Sequence, residues 1–599
     1  MSQEALLQLA GIFFIGILAQ WAAWRLKIPS IILLLAVGVV CGPVLGLLNP
    51  EQLMGDMLLP MVSLSVAVIL YEGGLNLRFR ELGRLKIRNV LLRIVTISVL
   101  ISWAAGAAAT HYIVGFPWPV AAMMGAVLVV TGPTVIGPML RHLRLRGKVG
   151  SLLKWEGIVV DPLGAILAVL VFTFLRTEEL REGLLNTLLD FGLTLAAGTA
   201  LGGAAAALLV VAFRRYWLPD FLHNAVSLML LFGAFTASNA LCEESGLLAA
   251  TVMGMVLANQ RVVSIRHVVE FKETLTIILI SFLFVTLAAN LKLDDLTGLG
   301  WESVLFVVVM MLVVRPASIL AATIGTSLSL GERLFMAWMA PRGIVAAAVV
   351  SVLSLEMVHY GFPQAIELVP ITFLVVFATV LVYGLSAGPL ARRFGLIQEN
   401  PQGVLFVGAH AWAKKLAASL AEEKIPVQLI DADRQKVHAC RMAGLACIYG
   451  NALSESTREE IDFSGLGRLF AVTPNNEVNT LVCLRYQEDF GRQEIYRLSF
   501  TEKLQGNQEA AHVEAHGRRL FGGEMNGDRM DDLLGGHATI TKTKLTKEYD
   551  YAAYRKERGD GVVLLFVIKP GGLLLVSTAE GTLDPQPGDT ILSVVPETA

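Results

Sequence analysis

Residues 149–174 read VGSLLKWEGIVVDPLGAILAVLVFTF and place two carboxylates, Glu156 and Asp161, inside a stretch long and apolar enough to cross a bilayer. Charged side chains are costly at that depth and usually face the protein interior, so these two are candidates for a functional site. They are five residues apart, about 140° around a helix, and do not share one face. One could bind an ion while the other pairs with an arginine, or both could serve only as partners for arginines.

The apolar character of this stretch extends over most of the chain. Of 599 residues, 55% are hydrophobic and only 16% are charged, and the mean hydropathy is +0.62. A soluble domain usually carries about 25% charged residues. Long apolar runs dominate between Leu6 and Ala391, and an ordinary globular mixture follows from Arg392. We therefore predict an all-α membrane domain over residues 1–395 and a soluble tail after it.

The membrane domain is predicted to contain about thirteen spanning helices, since each needs about 20 mostly apolar residues. The candidates lie at 5–24, 29–48, 57–76, 89–112, 117–140, 149–174, 184–213, 220–241, 245–259, 270–290, 301–326, 332–356 and 366–391. Lysine and arginine collect in alternate loops, as they do on the cytoplasmic side of membranes. This alternation predicts an N-terminus outside and a cytoplasmic tail. The N-terminal stretch lacks a basic n-region and a small-residue cleavage site, so we interpret it as the first span and not as a signal peptide.

Two of these spans contain glycine and proline where a continuous helix would be interrupted. Span five reads VVTGPTVIGPML at 129–140, and span twelve reads MAPRGIV at 339–345. Such interruptions at corresponding places in two halves of a transporter indicate inverted repeats around a midplane site. An ordinary proline kink in each span is the alternative. Spans eleven and twelve also hold the remaining charged groups at this depth, Arg315 and Arg342.

Seven short motifs, taken together, resemble the monovalent cation–proton antiporter family in its sodium/proton exchanger branch. In order they are LYEGGLNL at 70–77, TGPTVIGPML at 131–140, EGIVVDP at 156–162, ESGLLAATVMGMVLAN at 244–259, VVRP at 313–316, APRG at 340–343 and ITFLVVFATVLVYGL at 371–385. The resemblance covers residues 5–395. It implies that spans five and twelve are crossed, discontinuous helices in a mobile core, with the transported ion on span six.

The resemblance also implies roles for individual residues. Asp161 matches the aspartate that binds cation and proton in competition, and Glu156 matches the glutamate that pairs with an arginine such as Arg315. Thr131 matches the threonine at the fifth-span break, and Arg342 matches the arginine of the twelfth-span motif. We therefore expect Asp161, Glu156 and Thr131 to bind the ion or proton. The polar lining implied by the family consists of Thr134, Thr372 and Thr379.

Two positions depart from the family pattern. Relatives read Thr-Asp-Pro at the fifth-span break where this chain has Gly132, and they place Asn or Asp before the aspartate where it has Val160. Asp161 is then the single carboxylate bound directly to the ion, and one carboxylate exchanging one proton for one cation predicts electroneutral exchange. Fewer hard oxygens demand less complete dehydration of the cation, which favours K⁺ over Na⁺.

The expected function is secondary antiport of Na⁺ and/or K⁺ for H⁺ across the cytoplasmic (inner) membrane of a bacterium, in pH homeostasis. Two other interpretations stay open, a ligand-gated potassium efflux system and a transporter-derived sensor with impaired transport. An enzyme is not expected, because the sequence shows no catalytic triad, metal cluster or intact phosphate loop. The five cysteines show no spacing of a disulfide framework or zinc site.

The first part of the tail, residues 401–500, alternates predicted strands and helices. VLFVG at 404–408, VQLID at 427–431 and RLFAVT at 468–473 are typical of buried parallel strands. A strand, a glycine turn at Gly408, a helix and a second strand ending in Asp431 form the layout of dinucleotide-binding folds. The fingerprint is degraded, because His410 and Ala413 stand where its second and third glycines would be.

This layout resembles the regulator-of-potassium-conductance domain of the TrkA-N type. The resemblance implies a ribose contact for Asp431 and a phosphate contact for the Gly408 turn, with His410 and Asn451 completing a regulatory nucleotide site. AMP or ATP fits the degraded turn more easily than NAD(H), and a Rossmann-like dimerisation module without ligand is the alternative. No cofactor is required for transport.

Residues 501–599 are predicted to form a linker and a small β-rich domain. GGEMNGDRMDDLLGGH at 522–537 predicts a loop, and short strands return in VVLLFVIKPGGLLLVS at 562–577 and DTILSVV at 589–595. The Pro-Gly-Gly between apolar runs predicts a hairpin. Domains of this kind usually pair between subunits, so we expect a homodimer. The tail has no basic stripe interleaved with aromatic residues, and nucleic acid is not an expected partner.

Overall fold

The computed structural model describes residues 3–595 apart from 27, 85–86, 144, 146–147, 176–179, 261, 264, 292–298, 398–400, 462, 464, 499–516, 523–524, 536–537, 560, 580 and 582. The chain forms two compact units, Met1–Ile397 and Gln398–Ala599. The first unit is built from helices, and the second combines helices with two sheets.

The first unit contains, over its described residues, eight helices long and apolar enough to cross a membrane. These are Ala5–Leu26, Pro50–Leu75, Arg88–Val114, Val149–Leu175, Leu189–Arg214, Asp220–Leu241, Trp301–Ala322 and Pro363–Arg393. Five shorter apolar helices accompany them, Ser30–Val44, Trp118–Val127, Ser245–Asn259, Thr274–Ala289 and Val345–His359. Each predicted span overlaps one of these helices, so the predicted polytopic helical fold is confirmed.

Two of the spans are each divided into two half-helices. Span five consists of Trp118–Val127 and Pro133–Leu143, and span twelve of Leu330–Trp338 and Ile344–His359. A helix of ten residues is about 15 Å long, whereas the bilayer core is about 30 Å thick. Each half therefore reaches only partway across, and the interruptions predicted from glycine and proline are confirmed.

Spans six and eleven keep their proline inside a continuous helix. Span six, Val149–Leu175, runs through Pro162 without a break. Span eleven widens into one π-helical turn at Met310–Val314, directly before Arg315 and Pro316. Proline lacks an N–H and its ring clashes with the carbonyl four residues earlier in a regular α-helix. A widened turn relieves that clash, and turns of this kind are frequent at functional sites.

The second unit begins with a six-stranded parallel sheet in the order β3-β2-β1-β4-β5-β6. The strands are β1 Gly403–Val407, β2 Val427–Asp431, β3 Ala446–Tyr449, β4 Leu466–Ala471, β5 Ile495–Arg497 and β6 Arg518–Arg519. The helices between them are Ala411–Glu422, Arg434–Met442, Glu455–Glu460, Asn476–Arg485 and Gln487–Phe490. A central β1 with the strand order reversing beside it confirms the predicted Rossmann-like layout. The sixth strand lies beyond residue 500, where we expected this domain to end.

A four-stranded antiparallel sheet follows, in the order β7-β10-β8-β9. Its strands are β7 Thr539–Lys544, β8 Val563–Ile568, β9 Leu574–Val576 and β10 Thr590–Val595. Strands β8 and β9 form a hairpin in which Ile568 pairs with Leu574. Gly572 in the turn has a φ of 79°, which a glycine adopts without strain. The hairpin predicted at Pro-Gly-Gly is confirmed.

One local prediction in the tail was wrong. The segment 522–537, predicted as a loop, contains the helix Gly527–Gly535. Met530 and Leu534 are buried and lie one helical turn apart on the same face. The Lys415 ammonium donates a 2.7 Å hydrogen bond to the Leu534 carbonyl. Glycine and acidic residues indicated a loop, whereas the helix is stabilised by packing that the local pattern does not reveal.

Candidate functional site

Both acids of span six are buried within the first unit, but only Glu156 has a partner among the residues that the structure describes. Glu156 is 2% exposed and Asp161 is fully buried. Arg315 forms a two-pronged pair with Glu156, with Nη1–Oε1 at 2.5 Å and Nη2–Oε2 at 3.0 Å. Two parallel bonds of this kind fix the orientation of both side chains. The position of Glu156, five residues from Asp161, thus turns it toward span eleven.

Arg315 also binds the end of one half-helix of span twelve. Its Nη2 donates to the carbonyl oxygens of Met336 at 3.1 Å and Met339 at 2.9 Å. These carbonyls belong to the C-terminal end of Leu330–Trp338, where helix carbonyls lack partners and carry partial negative charge. Arg315 therefore joins span six, span eleven and the break in span twelve.

Arg342 binds the carbonyl end of the corresponding half-helix in span five. Its Nη1 donates to the carbonyl oxygens of Val129 at 3.0 Å and Val130 at 3.2 Å, just past the end of Trp118–Val127. Its backbone N–H donates to the Thr379 hydroxyl at 3.2 Å. Each broken span thus has its carbonyl end neutralised by a buried arginine from another part of the core.

The two breaks touch each other. The Gly132 N–H donates to the Pro341 carbonyl at 3.2 Å. A Cβ added at Gly343 would lie 2.4 Å from the Gly132 Cα, closer than real atoms approach. Glycine is therefore required at Gly343, because any side chain there would separate the two breaks. Gly132 itself has no side chain, which is compatible with so close an approach of the two backbones.

Asp161 lies on the part of span six that packs against the break in span five. Gly164, one turn later on the same side of the helix, is so close to span five that a Cβ there would lie 3.2 Å from the Val130 nitrogen. Both oxygens of Asp161 are buried with no hydrogen-bond partner among the described residues. The same holds for the hydroxyl of Thr131, next to Val130. Buried polar atoms without partners are rare and indicate a ligand, proton or water.

The predicted polar lining is distributed more widely. The Thr372 hydroxyl donates to the Met124 sulfur at 3.6 Å, and the Thr379 hydroxyl donates to the Val375 carbonyl at 2.8 Å while accepting from Arg342. Both threonines are buried. The Thr134 side chain lies outside the part of the chain that the structure describes. Thr379 thus supports the arginine, and Thr372 connects the last span to span five.

Sequence reasoning missed the four carbonyl groups that receive the two arginines. They belong to Val129, Val130, Met336 and Met339. A backbone carbonyl leaves no signal in residue type. The indirect signal was the interruption itself, because a broken helix must leave unpaired carbonyls beside the break.

In the second unit, the glycine turn after β1 closes on the end of β2. Gly408 has a φ of 113°, and a Cβ there would lie 2.8 Å from the Val472 carbonyl oxygen, so the position requires glycine. The Asp431 carboxylate accepts the Ala409 N–H at 2.7 Å through Oδ2 and the Asp433 N–H at 2.8 Å through Oδ1. Asp431 therefore holds the turn in place from across the sheet.

The other two predicted nucleotide residues lie beside this turn. His410 precedes the helix Ala411–Glu422, and burial lowers the pKa of its imidazole, so the side chain adds no positive charge at neutral pH. Asn451 follows Gly450, whose N–H donates to the Asp431 carbonyl at 3.0 Å. The Asn451 side chain accepts the Leu453 N–H at 2.9 Å and shapes its own turn. All four predicted residues are thus grouped at the carboxyl ends of β1, β2 and β3.

Comparison with known proteins gives the same division of the chain. The family model "Sodium/hydrogen exchanger, transmembrane" matches residues 10–393, and the model "TrkA-N domain" matches residues 404–505. The chain is 26% identical over 355 residues to Na(+)/H(+) antiporter 1 of Methanocaldococcus jannaschii, covering 57% of this chain and 82% of that protein. It is 22% identical over 401 residues to the K(+)/H(+) antiporter NhaP of Alkalimonas amylolytica, covering 65% and 67%.

One solved structure shows the same fold in the membrane unit. It is that of the sodium proton antiporter MjNhaP1 from Methanocaldococcus jannaschii, with a TM-score of 0.57 and 24% sequence identity. The match covers 65% of this chain and 98% of that one.

Proposed function

Because this chain belongs to the sodium/hydrogen exchanger family, we propose that it is a secondary antiporter that exchanges Na⁺ and/or K⁺ for H⁺ across the bacterial cytoplasmic membrane. Its relatives include a Na⁺/H⁺ and a K⁺/H⁺ antiporter, which supports either cation. The alternation of basic loops supports an N-terminus outside and a second unit in the cytoplasm.

The observation that carries this proposal is the unpartnered carboxylate of Asp161. A structural carboxylate at this depth is expected to have a partner, as Glu156 has Arg315. Asp161 is fully buried, and both its oxygens lack a hydrogen-bond partner within the described chain. A proton or a metal cation can neutralise it, but not both at once. Competition for one carboxylate couples the two fluxes if the empty, charged site cannot cross the membrane.

Glu156 has a different task in this proposal. Its carboxylate is fully engaged by Arg315, which also binds two carbonyls of span twelve. We therefore assign Glu156 a positioning role rather than direct ion binding. Arg315 and Arg342 neutralise the carbonyl ends of the two half-helices, so Asp161 is left as the carboxylate that changes its charge during transport. One such group predicts electroneutral exchange.

The choice of cation depends on how many oxygens surround Asp161. The Thr131 hydroxyl, at the fifth-span break, is the candidate for a second oxygen ligand of the cation. It too lacks a hydrogen-bond partner among the described residues. Val160 and Gly132 contribute no side-chain oxygen. A site with few oxygens replaces the hydration shell of Na⁺ poorly, and K⁺ holds its shell less tightly. We propose that K⁺ is exchanged at least as readily as Na⁺.

Exchange in proteoliposomes tests the assignment of Asp161. We predict that Asp161→Asn abolishes cation-dependent proton flux, because an amide neither releases a proton nor balances a cation. Asp56→Asn, the same substitution at an exposed position, serves as the control and is expected to transport normally. Thermal unfolding would show that both variants remain folded. Proton flux in Asp161→Asn equal to that of the wild type, with either Na⁺ or K⁺, would sink the assignment.

The TrkA-N match supports a regulatory role for the second unit. We propose that it binds a nucleotide at the Gly408 turn and that two subunits pair into a homodimer. A ligand-gated potassium efflux system is the second candidate function, favoured by the same match. A sensor with impaired transport is the third, favoured by the oxygen ligands missing at Val160 and Gly132. Flux measured with Na⁺, K⁺ or neither, with and without nucleotide, separates the three.

A further inference from the structure

A second group of buried polar side chains lies away from the ion site, where spans three, eight and ten meet. Tyr71 lies on Pro50–Leu75, Ser227 on Asp220–Leu241 and Lys272 on the helix Arg266–Ala289. All three side chains are fully buried. The Tyr71 and Ser227 hydroxyls are 2.8 Å apart, and the Lys272 ammonium lies over the face of the Tyr71 ring, 2.6 Å from its centroid. We call these residues the Lys272 cluster.

The cluster and the polar residues next to it on the same helices contain more hydrogen-bonding groups than are paired. Three buried side-chain groups have no hydrogen-bond partner in the described part of the chain: the Lys272 Nζ, the Thr276 hydroxyl and the Asn224 Oδ1. Thr276 lies one turn after Lys272 on the same helix face, and Asn224 one turn before Ser227. Of the two hydroxyl protons of Tyr71 and Ser227, their mutual bond uses one. An ammonium and at least two hydroxyl protons are therefore left to donate.

The Tyr71 ring alone does not account for a lysine in this position. Removing an ammonium from water without a partner costs more free energy than a desolvated cation–π contact returns. An anionic group that accepts from Lys272 and the nearby hydroxyls offsets this difference, because charge-assisted hydrogen bonds are about twice as strong as neutral ones.

The depth of the cluster indicates where such an anion comes from. Tyr71 lies about one turn before the end of its helix, Asn224 about one turn after the start of its own, and Lys272 just before the apolar stretch Thr274–Ala289. In the loops and the adjoining helical turns at these three helix ends, arginine is frequent, as Arg78, Arg80, Arg214, Arg215 and Arg266. Such loops lie at the level of the lipid headgroups.

We propose that the Lys272 cluster binds a phosphate group, supplied by an anionic phospholipid of the leaflet that faces these loops. Lys272 provides the charge, and Thr276 with the Tyr71–Ser227 pair provides hydroxyl donors. The bound phosphate would link spans three, eight and ten at one membrane surface. This site is independent of Asp161 and of the transported ion.

Thermal unfolding of the purified full-length protein tests this proposal. The wild type, Lys272→Met and Thr276→Val are each titrated with phosphatidylglycerol, with phosphatidylcholine and with inorganic phosphate. Phosphatidylglycerol is expected to raise the unfolding temperature of the wild type, and Lys272→Met to need at least about tenfold more of it, as the loss of one charge-assisted bond implies. Lys148→Met removes the same charge from a half-buried lysine that donates to the Ser327 hydroxyl, and is expected to behave like the wild type.

The three titrations distinguish the sources of phosphate. Stabilisation by phosphatidylglycerol that is weakened in Lys272→Met supports a lipid ligand. The same pattern with inorganic phosphate supports the phosphate site and makes the ligand a free anion. If Lys272→Met fails to fold, a smaller loss of affinity in Thr276→Val carries the test. Equal responses of the wild type, Lys272→Met and Thr276→Val to all three titrants would overturn the proposal.

Discussion

Two carboxylates on one helix have opposite environments, and the difference arises from which neighbours each one meets. Glu156 faces Arg315 on span eleven, and that arginine is itself fixed by two carbonyls. Asp161, more than one turn further along, faces the break in span five and has no hydrogen-bond partner among the described residues. Burial is the same for both. The charge of a partnered buried acid is balanced by its partner, whereas an unpartnered one needs a cation or proton to balance it.

Breaking the buried pair is expected to cost more than its interaction energy. Glu156→Gln leaves the Arg315 charge buried without a counterion, and such changes typically cost about 3–5 kcal/mol. Arg315→Met is expected to destabilise as well, because the Met336 and Met339 carbonyls and Glu156 lose their donors. The measurement is the free energy of unfolding from denaturant titration in detergent.

A double variant provides the control for this pair. Once Glu156 is uncharged, removing Arg315 relieves an unpaired charge, so the double variant should be less destabilised than the sum of the two single variants. Strictly additive effects would show that the two side chains do not stabilise each other.

Glu244 is expected to make stability depend on pH. It lies between the helices Asp220–Leu241 and Ser245–Asn259, half-buried, with a φ of 60°. Burial, and then repulsion by Glu243, raise the pKa of Glu244 from 4.5 to about 7. The folded state thus binds the proton of Glu244 more tightly than the unfolded state does. The stabilisation of the folded state by this proton is fully present below pH 4.5 and is lost as the pH rises through about 7.

The variant Glu244→Gln removes this dependence. Above pH 7 it should be more stable than the wild type by about 1–3 kcal/mol, the upper value being reduced because the carboxylate is partly exposed. The two proteins should converge as the pH falls toward 4.5. Unfolding curves from pH 4.5 to 8.5 measure the difference, and Glu243→Gln should give a smaller effect of the same sign. Parallel curves at all pH values would contradict the prediction.

At the level of helices, the sequence predicted what depends on local composition and missed what depends on contacts. Apolar length predicted the spans, and Gly132–Pro133 with Pro341–Gly343 predicted the two breaks. The carbonyls that bind Arg315 and Arg342 could not be predicted, because a carbonyl is common to all residues and only packing selects one. The helix Gly527–Gly535 was missed for the same reason, since its apolar pair is stabilised by a distant part of the chain.

The crossing of the broken spans is expected to tolerate no side chain at Gly343. A methyl group there would meet the Gly132 Cα at 2.4 Å, so Gly343→Ala must push spans five and twelve apart. Overpacking of this kind typically costs about 1–3 kcal/mol. It would also disturb the hydrogen bond from the Gly132 N–H to the Pro341 carbonyl. Reduced exchange in proteoliposomes, together with a lower unfolding temperature, is the expected result.

Gly137, on span five, provides a matched control. It lies in Pro133–Leu143, and a Cβ there would have no atom within 4 Å. Alanine is the better helix former by about 0.5–1 kcal/mol, so Gly137→Ala should be neutral or slightly stabilising. If Gly343→Ala transported as well as Gly137→Ala, the crossing would not require close contact.

At the level of the whole molecule, the two units are stabilised in different ways. In the membrane unit, buried arginines satisfy the helix ends that the lipid cannot. In the second unit, Arg468 on β4 connects the two sheets, donating to the Leu574 carbonyl at 2.8 Å and to the Gln402 side chain at 3.1 Å. The Gln402 side chain in turn accepts the Leu574 N–H at 2.7 Å. The antiparallel sheet is thus held against the six-stranded parallel sheet within the second unit.

The glycine turn of that unit is expected to bind AMP and to reject NADH. A pyrophosphate needs several free backbone N–H groups and glycines that let it approach. Here the Ala409 N–H is occupied by Asp431, and His410 fills the place of the second glycine. A single phosphate needs fewer donors. The Asp431 carboxylate can give up its hydrogen bond from the Ala409 N–H and accept one from a ribose hydroxyl instead. Equilibrium dialysis of the full-length protein against AMP, ATP and NADH measures the preference, and flux in proteoliposomes shows whether binding regulates transport.

Substitutions at two neighbouring aspartates separate ligand binding from folding in this test. Asp431→Asn removes the carboxylate that would accept both ribose hydroxyls and is expected to weaken AMP binding at least about tenfold. Asp433→Asn is the matched control, because Asp433 caps the helix Arg434–Met442 by accepting the Gln435 N–H at 2.8 Å, and asparagine caps equally well. NADH binding as tight as AMP binding, or unchanged binding in Asp431→Asn, would show that the turn does not select its ligand in this way. No binding of any nucleotide would favour a module that only joins two subunits.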